Sequence, residues 1–348
     1  MDLKFHIIFI PHSVRYLQFG VLSLLRYCDY QFALVCNGLG DGEYQILRRL
    51  ADRHERLSLM GEPNGRLVPH GQMLNQLLEQ AEGDWFCFMD NDIFAAGPFQ
   101  EQLEARLAEC DVFSSGCPIC MTADQAVSGY MGMCLKTPGG LPLAVTFIAA
   151  YRRQMLQDLI SETKIGFESY NPQESLPDIA RPPEFKEDLS RSHKLDTGIL
   201  MNMLAGQKRQ WRFDFHDFPQ LIHVGGLAAY TQRHRKWSKR VRAFLRGEGR
   251  KQVYVLSEEN LEPEISKRLK RRHRKHGDAN FASIEDERGY LTTKIMRNRV
   301  ATYFSRLLRA LLDGDVMPQI DLPAGHLRDR IAKTAKVLQE VIEEADQK

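Results

Sequence analysis

The sequence predicts an α/β protein with a doubly wound, mostly parallel sheet and a helical C-terminal extension. Three observations carry that prediction. Through the first ninety residues, short apolar runs of strand length alternate with segments of helical spacing. An apolar run at residues 85–89 stops abruptly at two carboxylates, Asp90 and Asp92, and open α/β sheets bind ligands where their strands end. Past about residue 230 the chain turns basic and helical, with no strand alternation.

Each element follows from its residues. Residues 3–10 are a continuous apolar run, and Tyr16, Phe19, Leu22 and Leu25 recur behind it at helical spacing. Residues 32–36 are apolar again. Asn37-Gly38 marks a turn, and Asp41 reads as the N-cap of a helix carrying Tyr44, Leu47 and Leu50. A short strand at 57–60 precedes a helix at 71–81, through Met73, Leu74, Leu77 and Leu78, and then the strand that ends at Asp90. Strand and helix units repeated at this length imply a mostly parallel sheet. Pro98 at a first helical position opens a helix to Glu109, and residues 111–115 read as another strand. Residues 161–191 are rich in Pro, Glu and Ser and predict a long irregular excursion. Helix returns at 196–204, and short strands at 211–215 and 220–224 lead into His223-Val224-Gly225-Gly226.

With 348 residues and 43% hydrophobic content the chain can bury a sizeable core. Residues 1–11 are too brief and uncharged for a secretory signal, and no stretch reaches the ~20 apolar residues of a spanning helix. Seven cysteines, several inside apolar segments, predict reduced thiols and a cytoplasmic location. Cys110, Cys117, Cys120 and Cys134 contain one Cys-x-x-Cys, where a structural zinc site usually shows two close pairs.

The chemistry gathers at Asp90-Asn91-Asp92. In an extended strand Asp90 and Asp92 point to the same side, and two like charges ending a buried strand are costly unless a cation sits between them. Hard oxygen ligands favour Mg²⁺ or Mn²⁺. His223, at the end of a short strand, is a candidate third ligand that would favour Mn²⁺, and Gly225 beyond it lets backbone approach a phosphate closely.

The order of these motifs resembles family 2 glycosyltransferases, which have a GT-A fold. The residues that carry the resemblance are Pro11-His12-Ser13 after the first strand, residues 34–41 around Asn37 and Asp41, His70-Gly71 with Asn75, Ala81-Glu82-Gly83-Asp84, and the Asp-x-Asp of residues 90–92. It covers residues 1–95 in order and scattered points to about 226. The resemblance implies transfer of a sugar from a nucleotide-sugar donor to an acceptor hydroxyl, with a divalent metal on the diphosphate. It implies donor contacts from Pro11, Ser13, Asn37, Asp41, Asn75, Asp90, Asn91 and Gly225, and metal ligation by Asp90, Asp92 and His223. Cys36 stands where the family has its first nucleotide-contacting aspartate, so Asn37 or Asp41 is expected to take that place. An inverting mechanism needs a general base, for which the resemblance suggests Asp196, with Asp188 in reserve. Asp196-Thr197-Gly198 and His223-x-Gly-Gly are also similar to family 8 enzymes, which implies a retaining reaction as the alternative. A nucleotidyltransferase would want a glycine-rich loop after the first strand, which residues 11–16 lack. A non-catalytic nucleotide-sugar-binding or scaffold protein is the reading from another class.

The expected organisation is a catalytic unit at residues 1–231, with its nucleotide-sugar and metal half at 1–95 and its acceptor half at 96–231, followed by a basic region at 232–348. Residues 232–277 hold 16 Lys and Arg against 5 Glu, a net +11 in a chain whose total is +2. The run Arg233–Trp237 is a candidate loop over the diphosphate, and the run 267–276 a candidate contact with an anionic membrane at its inner face. No aromatic is interleaved with the second run, so nucleic acid is not expected. The acceptor is a glycan, a lipid-linked glycan or another hydroxyl compound. The stripe Met296, Val300, Phe304, Leu307, Leu308 and Leu311 is core or a homodimer surface.

Overall fold

A computed structural model of the chain describes residues 1–121, 135–137, 139–172, 176–181, 183–186, 189, 195–208, 211–228, 253–276 and 284–347. In chain order its elements are β1 (Lys4–Phe9), α1 (Val14–Tyr27), β2 (Gln31–Cys36), α2 (Asp41–Asp52), β3 (Leu57–Met60), α3 (His70–Gln80), β4 (Trp85–Met89), β5 (Ile93–Ala95), α4 (Gln100–Leu107) and β6 (Val112–Ser115). There follow β7 (Ile148–Arg152), α5 (Arg153–Thr163), α6 (Ile199–Gln207), β8 (Phe213–Phe215), β9 (Leu221–His223), β10 (Val255–Ser257), α7 (Leu261–His276), α8 (Ile284–Asp313), β11 (Gln319–Asp321) and α9 (His326–Asp346).

Seven strands make one sheet in the order β3-β2-β1-β4-β7-β6-β8. Its pairs are parallel except β4–β7 and β6–β7, so β7 alone runs against the rest. This is the doubly wound, mostly parallel sheet that the sequence predicts. The reversed strand was not anticipated. Ile148, Ala149, Ala150 and Tyr151 are buried on both faces, so the run has none of the alternation that marks a half-exposed strand.

The sheet separates two apolar layers. Phe5, Ile7, Phe9, Cys87 and Met89 face α1, α4, α8 and α9, while Ile8, Phe86, Phe88 and Tyr151 face α3, α5 and α6. Met296, Val300, Phe304, Leu307 and Leu308 are buried in the first layer. The C-terminal stripe is therefore core of this chain, the first of the two readings its spacing allows. The same region was expected to lack strands, yet β10 and β11 pair in parallel, Leu256 opposite Ile320. Three residues are too few to show a period.

Three helix starts also differ. Asp41 opens α2 as its first residue behind a Gly40 cap. Pro98 lies ahead of α4, which begins after Phe99, and Asp196 lies ahead of α6, which begins after Gly198 in left-handed backbone (φ 74°). The α2 carboxylate that does cap a helix is Glu43. It accepts the N–H groups of His12 (2.8 Å) and Val14 (3.3 Å), placing a negative charge at the N-terminus of α1.

Candidate metal and donor site

The Asp90-Asn91-Asp92 segment leaves β4 and is fastened on three sides. The Asp90 N–H donates to the Phe147 carbonyl (2.7 Å). Asn91 is buried, and its Nδ2 donates to the Ile8 carbonyl at 3.0 Å and lies 3.4 Å from Ser13 Oγ. Ser13 Oγ in turn donates to the Ile10 carbonyl (2.7 Å), so the half-buried Pro11 and the Pro11-His12-Ser13 turn are tied to the acidic motif. Helix α1 closes over the start of β5 at Gly20, where a Cβ would lie 2.8 Å from the Ile93 carbonyl oxygen.

His223 arrives by strand pairing. β5 and β9 run antiparallel with Ile93 opposite His223, and the Val224 N–H donates to the Asp92 carbonyl (3.1 Å). The imidazole is buried, with its ring centre 4.2 Å from that of Phe147. Nδ1 lies 3.1 Å from the Gly116 carbonyl oxygen, an acceptor only, so Nδ1 carries the hydrogen. Nε2 then faces Asp92 Oδ1 at 3.2 Å and Asp90 Oδ2 at 3.5 Å. Burial by itself would lower the His223 pKa, but the Asp92 and Asp90 carboxylates outweigh it and raise it to about 9. Asp92 is held below the usual carboxylate range: burial opposes the charge, and His223 and a backbone donor overcome it.

That donor is the Leu227 N–H, 2.9 Å from Asp92 Oδ2. Gly225 (φ 75°) and Gly226 (φ 83°) turn the chain through two left-handed residues to bring it there. A Cβ on Gly225 would lie 3.3 Å from Arg297 Cδ, so α8 brings an arginine against the glycine that follows the histidine strand.

Among the described residues, Asp90, Asp92 and His223 are the group able to hold a metal ion, with ligand atoms all within 4.8 Å of one another. The donor set fits a divalent cation. A backbone carbonyl fixes the ligating tautomer of the histidine, a backbone N–H orients Asp92, and the half-exposed Asp90 leaves one side open to a further ligand. Cys110 and Cys117 are buried and Cys120 is partly so. All three are free thiols raised to about 12 by burial, and Cys134 lies outside the described residues.

Other residues singled out in the sequence have different roles in the structure. Asn37 is buried at the end of β2, where its Nδ2 donates to the Val68 carbonyl (2.9 Å) and its Oδ1 accepts the Val68 N–H (2.8 Å). Asn75 Oδ1 accepts the Phe167 N–H (2.9 Å), and its Nδ2 donates to Glu168 (2.6 Å). Asp41 is exposed at the start of α2. Asp196 is exposed, and its Oδ1 accepts the Thr197 N–H (2.9 Å) and the Ser169 hydroxyl (3.3 Å). Asp188 and the run Arg233–Trp237 lie outside the described residues. Two residues after Asp196, a Cβ on Gly198 would lie 3.7 Å from Thr146, and the next residue, Phe147, accepts the Asp90 N–H and sets its ring against that of His223 at a tilt of 40°. The Gly116 carbonyl and the Leu227 N–H were not anticipated, because backbone groups carry no residue signature. Nor was Arg297, which is one arginine among many in a basic region.

No protein-family model and no curated protein matches the chain. Among solved structures it is similar to the mannosyltransferase PcManGT from Pyrobaculum calidifontis, in complex with GDP-Man and Mn²⁺. The identity is 12% over 99% of this chain and 85% of that one, with a TM-score of 0.42. S. aureus TarS 1–349, in complex with UDP-GlcNAc, is 14% identical over 99% of this chain and 92% of that one, with a TM-score of 0.39. The glycosyltransferase GlyE of Streptococcus pneumoniae TIGR4 is 12% identical over 68% of this chain and 50% of that one, with a TM-score of 0.35. Likeness this distant carries no conclusion about the chemistry of this chain.

Proposed function

We propose that this chain is a metal-dependent glycosyltransferase that moves a sugar from a nucleotide-sugar donor to an acceptor hydroxyl. The observation that carries the reading is the convergence of Asp90, Asp92 and His223 at the carboxyl end of β4, with the His223 tautomer set by Gly116. A bound Mn²⁺ or Mg²⁺ would neutralise charge growing on a diphosphate leaving group, and the imidazole ligand favours Mn²⁺. Asp92, held by Leu227, fixes one ligand direction. Asp90, at the open edge, is shared between metal and donor. Gly225 and Gly226 keep side chains away from the phosphates, and Arg297 supplies a cation beside them.

For an inverting reaction Asp196 takes the acceptor proton. It is exposed, two residues ahead of Gly198, and two hydrogen-bond donors orient its carboxylate. Ser13 and Asn91 hold the turn after β1 against the motif, and Asn37, Asp41 and Asn75 shape the loops around the donor. The reaction proceeds in the cytoplasm, on a glycan, a lipid-linked glycan or another hydroxyl acceptor.

Calorimetric titration with nucleotide sugars and nucleoside diphosphates, with Mn²⁺ present or chelated, tests the reading. One nucleotide class is expected to bind in a metal-dependent way, and Asp92→Ala to abolish that binding in a folded protein. Metal-independent binding, or an unaffected Asp92→Ala variant, refutes it. Anomeric coupling in the proton NMR spectrum of the product separates inversion from retention.

A further inference from the structure

Helix α7 has two unlike faces. Ile265 and Leu269 are buried against Leu291 and Ile295 of α8. Lys267, Lys270, Arg271 and Arg274 are exposed, and their spacing of three and four sets them together on the opposite face. The flanking cations are paired: Arg268 with Glu264 (2.6 Å) and Arg272 with Glu287 (2.9 Å). The four outward cations have no ion-pair or hydrogen-bond partner among the described residues. Lys267 with Arg271, and Lys270 with Arg274, are like charges four apart, an arrangement that destabilises a helix in water.

Exposed apolar side chains stand on the strand pair that precedes α7 in the chain. Val253, Val255 and Met317 are 44%, 42% and 49% exposed, three of the six large hydrophobic side chains that stand out from the described residues. They lie on or just ahead of β10 and β11, whose register pairs Val255 with Gln319 and so brings Met317 level with Val253. Leu256, which follows Val255, is fully buried, so by strand alternation Val255 and Val253 point away from the core.

Both pieces rest on one stripe of α8. Glu287, Leu291, Ile295 and Arg299 recur every four residues. Glu287 pairs Arg272, Leu291 and Ile295 receive the apolar face of α7, and Arg299 donates to the carbonyls of Ser257 (2.7 Å) and Glu259 (2.9 Å). The strand and the helix therefore follow one another along the same side of α8. Arg297, two residues off that stripe, lies on the other side against Gly225.

We propose that Lys267, Lys270, Arg271 and Arg274, with Val253, Val255 and Met317, dock this protein peripherally on an anionic bilayer. Lipid phosphates supply the counter-charge that the protein withholds from the four cations, and the three apolar side chains enter the boundary between headgroups and acyl chains. A nucleic acid would match the charge but has no use for exposed valines, and the outward face of α7 carries no aromatic on which a base stacks. No described helix is long and apolar enough to cross a membrane, so contact is from the surface.

Sedimentation with vesicles reads this directly, without turnover and with the metal site untouched. The full chain is expected to bind vesicles containing about 30% phosphatidylglycerol, to ignore phosphatidylcholine alone, and to be released by about 0.5 M salt. Each basic residue near an anionic surface strengthens binding about fivefold, so Lys270→Gln/Arg271→Gln is expected to bind about 25-fold more weakly. Val253→Ser/Val255→Ser is expected to weaken binding while keeping its salt dependence. All four positions are exposed, and thermal melts of the variants are expected to match the parent. Vesicle binding that survives the charge change, no vesicle binding by the parent, or binding to a DNA duplex in place of vesicles overturns the proposal.

Discussion

His223 Nε2 lies 3.2 Å from Asp92 Oδ1, across an antiparallel pair of three-residue strands that sets His223 opposite Ile93. Both side chains are buried, and each is oriented by a backbone group behind it: the Gly116 carbonyl on the histidine and the Leu227 N–H on the aspartate. A buried carboxylate and imidazole aimed at one another, with a second carboxylate at 3.5 Å, enclose a place for positive charge. A proton on Nε2 would supply that charge, and under the proposed function a divalent cation would take its place.

The competition between proton and metal sets a pH dependence. The folded His223 pKa is about 9 against an ordinary 6.5, so the imidazolium stabilises the metal-free fold fully below about pH 6.5, and this contribution is lost as pH rises through 9. Melting in chelator is expected to weaken across that window, by at most about 1.4 kcal/mol per pH unit. Mn²⁺ affinity is expected to rise over the same window, by at most about tenfold per unit, because the proton must leave for the metal to bind. Flat profiles in both measurements would exclude His223 as a ligand.

Asp196→Asn separates chemistry from donor binding. If Asp196 takes the acceptor proton, kcat is expected to fall by about 10²–10⁴-fold while nucleotide affinity stays unchanged. Steady-state kinetics alongside calorimetry measures both, and unaltered turnover would move the base elsewhere.

Gly71→Ala reverses the usual helix rule. Alanine in place of glycine normally favours a helix by about 1 kcal/mol. Here the added Cβ would run into the Phe167 carbonyl oxygen. The variant is expected to lower the denaturation midpoint, because α3 has to move off the 166–168 segment that Asn75 also holds. A stabilised variant would contradict the packing.

Asn37→Ala tests whether that residue serves the fold or the donor. Losing both bonds leaves the Val68 N–H and carbonyl without partners, at an expected cost of about 1–3 kcal/mol by urea unfolding. A change in nucleotide preference with stability intact would mean that Asn37 reads the base instead.

The elements of the first ninety residues were legible because each strand is a short, largely apolar run and each helix shows a three-to-four period. Asp90 and Asp92 were legible as a pair because like charges closing a buried strand conflict with burial, and such a conflict marks a site. β7 was not, since burial on both faces removes the alternation that would mark it. Asn37 and Asn75 show the limit on the side-chain level: an asparagine that reads as a ligand contact in sequence has both amide atoms bonded within the protein.

The sequence by itself determined the α/β class, the order of the early elements and the carboxylates at the end of β4, all of which rest on local periodicity and local charge. Only the tertiary structure decided that His223 stands opposite Ile93, that its Nδ1 hydrogen meets the Gly116 carbonyl, and that the C-terminal stripe lies inside the core. These depend on backbone groups and on pairings between segments far apart in the chain. The free energy of such contacts arises when the segments meet, and neither segment carries a trace of it alone.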